Sequence, residues 1–247
     1  MHKFNSGGVE IAYQTAGEGP PVLLIHGFAS NASVNWWDTG WVKTLTEAGR
    51  RVITFDHRGH GASEKLYDPA LYPAAEMAED ARRLLDHLEI AQADVMGYSM
   101  GARVSAFLAI AHPARVRRAV FAGLASRMIT GVGGAEAIAA ALEAPTRNDG
   151  LDINARAFRI FAEQTKSDLK ALAACIRSSR EKITVEELAS IRVPVLVVAG
   201  EKDEVAGDVD TLVKAIPGAV GVTLPNRNHM NAVGDRGYKD AVLAFLA

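Results

Sequence analysis

A single cysteine, Cys175, occurs in the 247 residues, so no disulfide can close within the chain. No uninterrupted apolar stretch approaches the ~18 residues that span a bilayer. The nearest are the short runs around Val22 to Ile25 and Val193 to Ala199. Blocks of about five or six like charges are missing as well, and 27 basic against 29 acidic residues leave a formal charge of −2. These absences exclude a transmembrane helix, a polybasic membrane anchor and a nucleic-acid-binding stripe. The expected partner is a small, roughly neutral molecule; oligomeric state is unknown from sequence. Met1 to Gly8 lacks the apolar core of a signal peptide, so the expected location is cytoplasmic. What is present, 49% hydrophobic and 23% charged residues, is the composition of a globular chain with a sizeable core.

Hydrophobic patterning alternates between two kinds of segment. Phe4 to Ala16 alternates apolar and polar positions around Gly7-Gly8, as a half-exposed antiparallel hairpin does. Short continuous apolar runs follow at Val22–Ile25, Val52–Phe55, Ala93–Met96, Ala119–Ala122 and Val195–Ala199. Strands apolar on both faces belong inside a parallel sheet. Between them lie segments of helical period: Met77 to Leu88, with its charges opposite its apolar stripe, the almost wholly apolar Val104 to Ala111, and Tyr238 to Leu246. Strands alternating with helices predict an α/β fold with helices on both faces. The rhythm breaks from about Ser126 to Ile191, where helical patterns run without a convincing strand. The expectation is a single domain over 1–247 with a helical cap inserted at 126–191. Its glycine-rich start, Gly131 to Gly134, reads as a hinge or a tight connection.

Chemistry is carried by residues just past the strands. The strand ending at Met96 runs into Gly97-Tyr98-Ser99-Met100-Gly101 and then a helix. Such a turn holds its serine in strained geometry and lifts Oγ out of the sheet. A serine nucleophile needs a base, and the base an acid to fix its tautomer. Of seven histidines, His229 follows the last apolar run, Val220 to Pro225, at the sheet edge where catalytic groups gather. His87, His112 and His2 read as surface or structural; His57 and His60 read as turn architecture rather than a zinc pair. Asp203 follows the run Val195–Ala199 and completes the chain order serine, acid, histidine. Glu204 and Asp208 are the fallback acids. Oxyanion donors are expected from the backbone amides of Met100, directly after the nucleophile, and Phe28, in His26-Gly27-Phe28 after the first central strand.

In these residues the chain resembles the α/β-hydrolase family, serine-nucleophile branch, of the short-cap esterase and lactonase kind. Four motifs match in order over nearly the whole length: His26-Gly27-Phe28, Asp56-His57-Arg58-Gly59-His60-Gly61-Ala62-Ser63, the elbow Gly97 to Gly101, and Gly200 to Asp203 with the late Asn228-His229-Met230. The resemblance implies an eight-stranded, mostly parallel sheet, a cap after the sixth strand, and hydrolysis without metal or organic cofactor. Serine at the elbow disfavours haloalkane dehalogenases and epoxide hydrolases, which carry aspartate there. Ala102 and Arg103 after Gly101 depart from the elbow of the lactonases of aromatic degradation.

The expected reaction is two-step acyl transfer on an ester-type bond of a small, largely apolar substrate, with a rate that rises as the histidine base deprotonates. Carbon–carbon bond hydrolysis, thioester hydrolysis, perhydrolysis, or a non-catalytic small-molecule receptor on the same fold are the alternatives. Phe28, Tyr98, Met100, Met128 and Met230 are the expected substrate-binding residues, with Trp36 and Trp37 weaker candidates. Arg127, Arg147, Arg156 and Arg159 offer a carboxylate site but are explained by a solvated helix face. Cys175 is expected to pack.

Overall fold

A computed structural model of the protein describes residues 1–147 and 152–247. The strands are β1 (His2–Ser6), β2 (Val9–Ala16), β3 (Pro21–Ile25), β4 (Arg51–Phe55), β5 (Ala93–Tyr98), β6 (Val116–Ala122), β7 (Val195–Gly200) and β8 (Val220–Leu224). They form one sheet in the order β1-β2-β4-β3-β5-β6-β7-β8. Pairing is antiparallel from β1 to β2 and from β2 to β4, and parallel at every other junction. Gly7 and Gly8, both at positive φ, close the hairpin between β1 and β2.

Side chains alternate across a pleated strand, so each central strand feeds two cores. Leu23, Ile25, Ile53, Phe55, Val95, Phe121 and Val197 face one core, and Val22, Leu24, Val52, Met96, Val120, Leu196 and Val198 face the other. Continuous apolar sequence is what this two-sided burial demands.

The helices are α1 (Trp41–Glu47), α2 (Ala74–His87), α3 (Met100–Ala111), α4 (Arg127–Thr130), α5 (Ala135–Glu143), α6 (Ile153–Gln164), α7 (Leu169–Ser178), α8 (Val185–Ala189), α9 (Val209–Ala215) and α10 (Arg236–Leu246). Trp41 of α1 and Tyr238, Val242 and Leu246 of α10 cover the second face; α2 and α3 pack on the first. Among the described residues five helices, α4 to α8, lie between β6 and β7; of the segment expected as a cap, 148–151 fall outside the described residues. Among the described residues no helix is long and apolar enough to cross a membrane.

Three helices escaped the sequence reading: α1, with a π-helical turn at Ser33–Trp37 before it, the four-residue α4, and α9. Both helical pieces after β3 start without a side-chain cap, and α9 has seven residues, too few to display a period.

Candidate active site

The centre lies at the C-terminal edge of the sheet, where β5 turns into α3. Ser99 is held at φ 57° and ψ −115°, a backbone state that costs an L-residue energy and needs enforcement from its surroundings. Two glycines allow the approach. A Cβ on Gly97 would lie 2.1 Å from the Gly101 carbonyl oxygen, and one on Gly101 would lie 2.0 Å from that of Ile25. Ser99 N–H donates to the carbonyl of Ala122 at 2.7 Å, anchoring the turn to β6.

Two further loops converge on that serine. Asp203 leaves the end of β7, and its carboxylate accepts hydrogen bonds from the amides of Val205 and Ala206 at 3.1 and 2.9 Å. His229 lies beyond β8 in a loop where the Asn228 side chain accepts from the amides of Met230 and Asn231. The two loops are tied together by the Lys202 amide, which donates to the Arg227 carbonyl at 2.8 Å. A Cβ on Gly200 would meet that same carbonyl at 2.2 Å, so glycine there lets them close. The result is a continuous relay: Asp203 Oδ1 and Oδ2 lie 3.0 and 2.9 Å from His229 Nδ1, and His229 Nε2 lies 3.0 Å from Ser99 Oγ. With the acid on Nδ1, the hydrogen-bonding pattern leaves Nε2 of the neutral ring to accept from the serine hydroxyl. Tyr98 supports the ring from below, its hydroxyl donating to the His229 carbonyl at 2.5 Å.

The fallback acids are placed elsewhere. Glu204 lines the cleft, and Asp208 caps α9 by accepting from the Thr211 amide.

The loop after β3 borders the serine from the opposite side: a Cβ on Gly27 would come within 3.4 Å of the Ser99 Cβ. The Gly27 amide is taken by Asn35 Oδ1 at 3.0 Å. Phe28 and Met100, with Ser99, border a small cavity, and Met100 opens α3, where amides have no intrahelical acceptor. Beneath this loop His26, His57 and His60 are fully buried. The His57 amide donates to His26 Nε2 at 3.0 Å, which places the His26 proton on Nδ1, 2.7 Å from the Gly27 carbonyl. Burial lowers His26 to about 4 and His60 to about 3, and holds His57 well below the usual imidazole range. All three are neutral supports of the loop.

The turn Asp56 to Ser63 is the fastening between loops. Asp56 accepts from the Ala32 amide at 2.8 Å and the Ala62 amide at 2.7 Å, while Arg58 pairs with buried Asp80 at 2.7 Å.

A cleft of about 680 Å³ opens over Ser99 and His229. Its floor includes Phe28, Tyr98 and Val34, and its roof is one face of α6, with Phe158 and Phe161. Met230 lies at its rim, 59% exposed, and Met100 borders only the smaller cavity. Met128 is wholly buried in the core and lines neither, because the short α4 turns it inward. Trp36 is also core, and Trp37 is surface. Of the four arginines considered in the sequence, Arg147 and Arg159 pair with Glu163. Cys175 is buried against the Met100 sulfur at 3.9 Å, and burial raises its thiol to about 12. Sequence reasoning missed the α6 roof, since its apolar stripe has the pattern of any packed amphipathic helix.

Fold and site together define a hydrolase of the open α/β kind, and the comparisons agree. Residues 20–130 match the family model described as alpha/beta hydrolase fold. Similarity to 3-oxoadipate enol-lactonase 2 of Acinetobacter baylyi (strain ATCC 33305 / BD413 / ADP1) extends over 224 residues at 30% identity, covering 82% of this chain and 79% of that one. The chain belongs to the α/β-hydrolase family. A stretch of 120 residues is 40% identical to 2-hydroxymuconate semialdehyde hydrolase of Pseudomonas sp. (strain CF600), 48% of this chain but only 41% of that relative's length. Among solved structures, a hydrolase from Pseudomonas aeruginosa PA01 superposes with a TM-score of 0.83 at 29% identity, covering 100% of this chain and 98% of that one.

Proposed function

We propose that the protein is a serine hydrolase that cleaves a carboxylic ester or lactone of a small, largely apolar substrate through an acyl-enzyme. The observation that carries this reading is the unbroken relay from Asp203 through His229 to Ser99 Oγ, opening into an apolar cleft. His229 Nε2 takes the hydroxyl proton as Ser99 Oγ attacks the carbonyl carbon. Negative charge develops on the carbonyl oxygen between the amides of Phe28 and Met100, at the positive end of α3. Asp203 stabilises the imidazolium, which then protonates the departing alkoxide as the carbon–oxygen bond breaks. Water repeats the attack with His229 again as base, and Ser99 leaves with its proton restored.

A cleft of this apolar character favours an ester or lactone over a phosphorylated substrate. The similarity to an enol-lactonase over most of both chains places a lactone in the first substrate panel.

The test is burst and steady-state hydrolysis of short p-nitrophenyl esters by wild type and Ser99→Ala, with intact mass after an active-site-directed phosphonate. Turnover and a single adduct, both absent in Ser99→Ala, are expected. Folded wild-type protein that neither turns over nor labels overturns the reading.

A further inference from the structure

Among the described residues, neither the buried Arg103 nor the partly buried Arg180 forms an ion pair with a carboxylate. Arg58 and Arg159, also buried, pair with Asp80 and Glu163 at 2.7 Å each. Arg103, one turn beyond Ser99 on α3, is 2% exposed and gives its Nη1 to the carbonyls of Met128 and Glu181. Arg180, in the connection after α7, gives its Nη1 to the carbonyls of Val132 and Gly133. Among the described residues neither makes an ion pair. The Glu181 carboxylate accepts from the Ala74 amide at 2.6 Å and acts on Arg103 only through space, without an ion pair. Burial lowers both guanidinium groups to about 10, and each remains charged at neutral pH.

Both arginines line the smaller cavity, about 30 Å³, together with Ser99, Phe28 and Met100. The nucleophile and both expected oxyanion donors therefore border a space also lined by two guanidinium groups that make no ion pair among the described residues. A buried charge without a counter-ion is unfavourable, and a guanidinium pairs with a carboxylate through a matched planar fork. One water needs roughly 10–15 Å³ of such space, so the cavity admits a head group and no ring. Phe28, Ser99, Phe158 and Val205 border this cavity and the 680 Å³ cleft alike, so Ser99 stands at their junction.

We infer that the small cavity is a carboxylate subsite, and that the preferred substrates are esters or lactones whose short acyl chain ends in a carboxylate. Resting on the serine-hydrolase reading, this adds the substrate class: water cleaves the acyl–oxygen bond, and the acid released from Ser99 is a dicarboxylate. The apolar cleft holds the alcohol half.

The experiment compares kcat/KM for p-nitrophenyl monoesters of succinate, glutarate and adipate with neutral esters of matched length, at constant ionic strength. Wild type is expected to favour the best-fitting anionic ester at least tenfold, and the ratio to fall to near one in Arg180→Met and in Arg103→Met. Equal rates for the two ester classes in wild type overturn the inference, as does a preference retained in Arg180→Met. Should Arg103→Met fail to fold, Arg180→Met decides, because that side chain is only partly buried. If no ester is turned over, the serine-hydrolase reading fails by itself, and calorimetry with glutarate and adipate then judges the subsite alone. Binding lost in Arg180→Met supports it; no binding, or binding that survives the substitution, overturns it.

Discussion

Asp203 does two things with one carboxylate: it accepts from two loop amides and brackets His229 Nδ1. Asp203→Asn keeps the size but presents an amide to a ring nitrogen, so the tautomer that accepts from Ser99 is no longer favoured. The expected outcome is a fall in kcat of roughly 10⁴-fold with little change in fold, as in the well-studied serine protease triad; steady-state kinetics with circular dichroism checks it. A loss below tenfold would mean that Asp203 is not the orienting acid. Backbone geometry makes a second prediction. Gly101→Ala drives a methyl into the Ile25 carbonyl at 2.0 Å, whereas Gly133→Ala meets nothing within 4 Å. Urea denaturation should show a loss of about 3 kcal/mol or more for the first, at the upper end for overpacking, and almost none for the second. Ser99, Asp203 and His229 were legible in the sequence because the proposed chemistry demands particular side chains at particular strand ends, and few others satisfy it.

At the level of elements, α6 decides what reaches the serine. Asp152 caps it, and its apolar face, including Phe158 and Phe161, roofs the cleft. Phe158 also stacks edge-on against Phe28 at 5.8 Å and separates the two cavities. Phe158→Ala removes that partition and should raise KM for short esters about tenfold, in keeping with the ~1–3 kcal/mol that small apolar contacts supply to discrimination. Bulkier alcohol groups should lose less, and a panel of esters graded in size reads the difference. Every strand was legible, the central ones because two-sided burial forces unbroken apolar runs and the first hairpin because its residues alternate, and so was the amphipathic α2. The roof and the arginine pair were not. An apolar stripe on α6 says that the helix packs but not against what. Arg103 and Arg180 stand 77 positions apart, and only the fold shows that neither meets a carboxylate.

Across the whole molecule, the same burial that builds the site also makes it sensitive to acid. His26, His57 and His60 sit side by side beneath the loop after β3, with His26 ring centroids 4.6 and 5.3 Å from the other two. Each is held neutral in the fold, its pKa depressed by desolvation first and, for His57 and His60, also by neighbouring charge. The unfolded chain binds protons at these sites near the ordinary imidazole value of ~6.5. Their cost to stability is therefore absent above that value and grows as pH falls towards about 4 and 3, where His26 and His60 also accept protons. At pH 5.5 each such histidine favours the unfolded chain by about 1.4 kcal/mol, so the cluster removes ~4 kcal/mol. That is a large part of the ~5–15 kcal/mol that holds a typical domain together. Urea denaturation between pH 7.5 and 5 should thus show steeply falling stability. In His60→Gln, which keeps a donor for the Arg58 carbonyl, the slope should ease by about 1.4 kcal/mol per pH unit below 6. An unchanged slope in that variant would show that His60 accepts its proton as readily in the folded protein as in the unfolded chain.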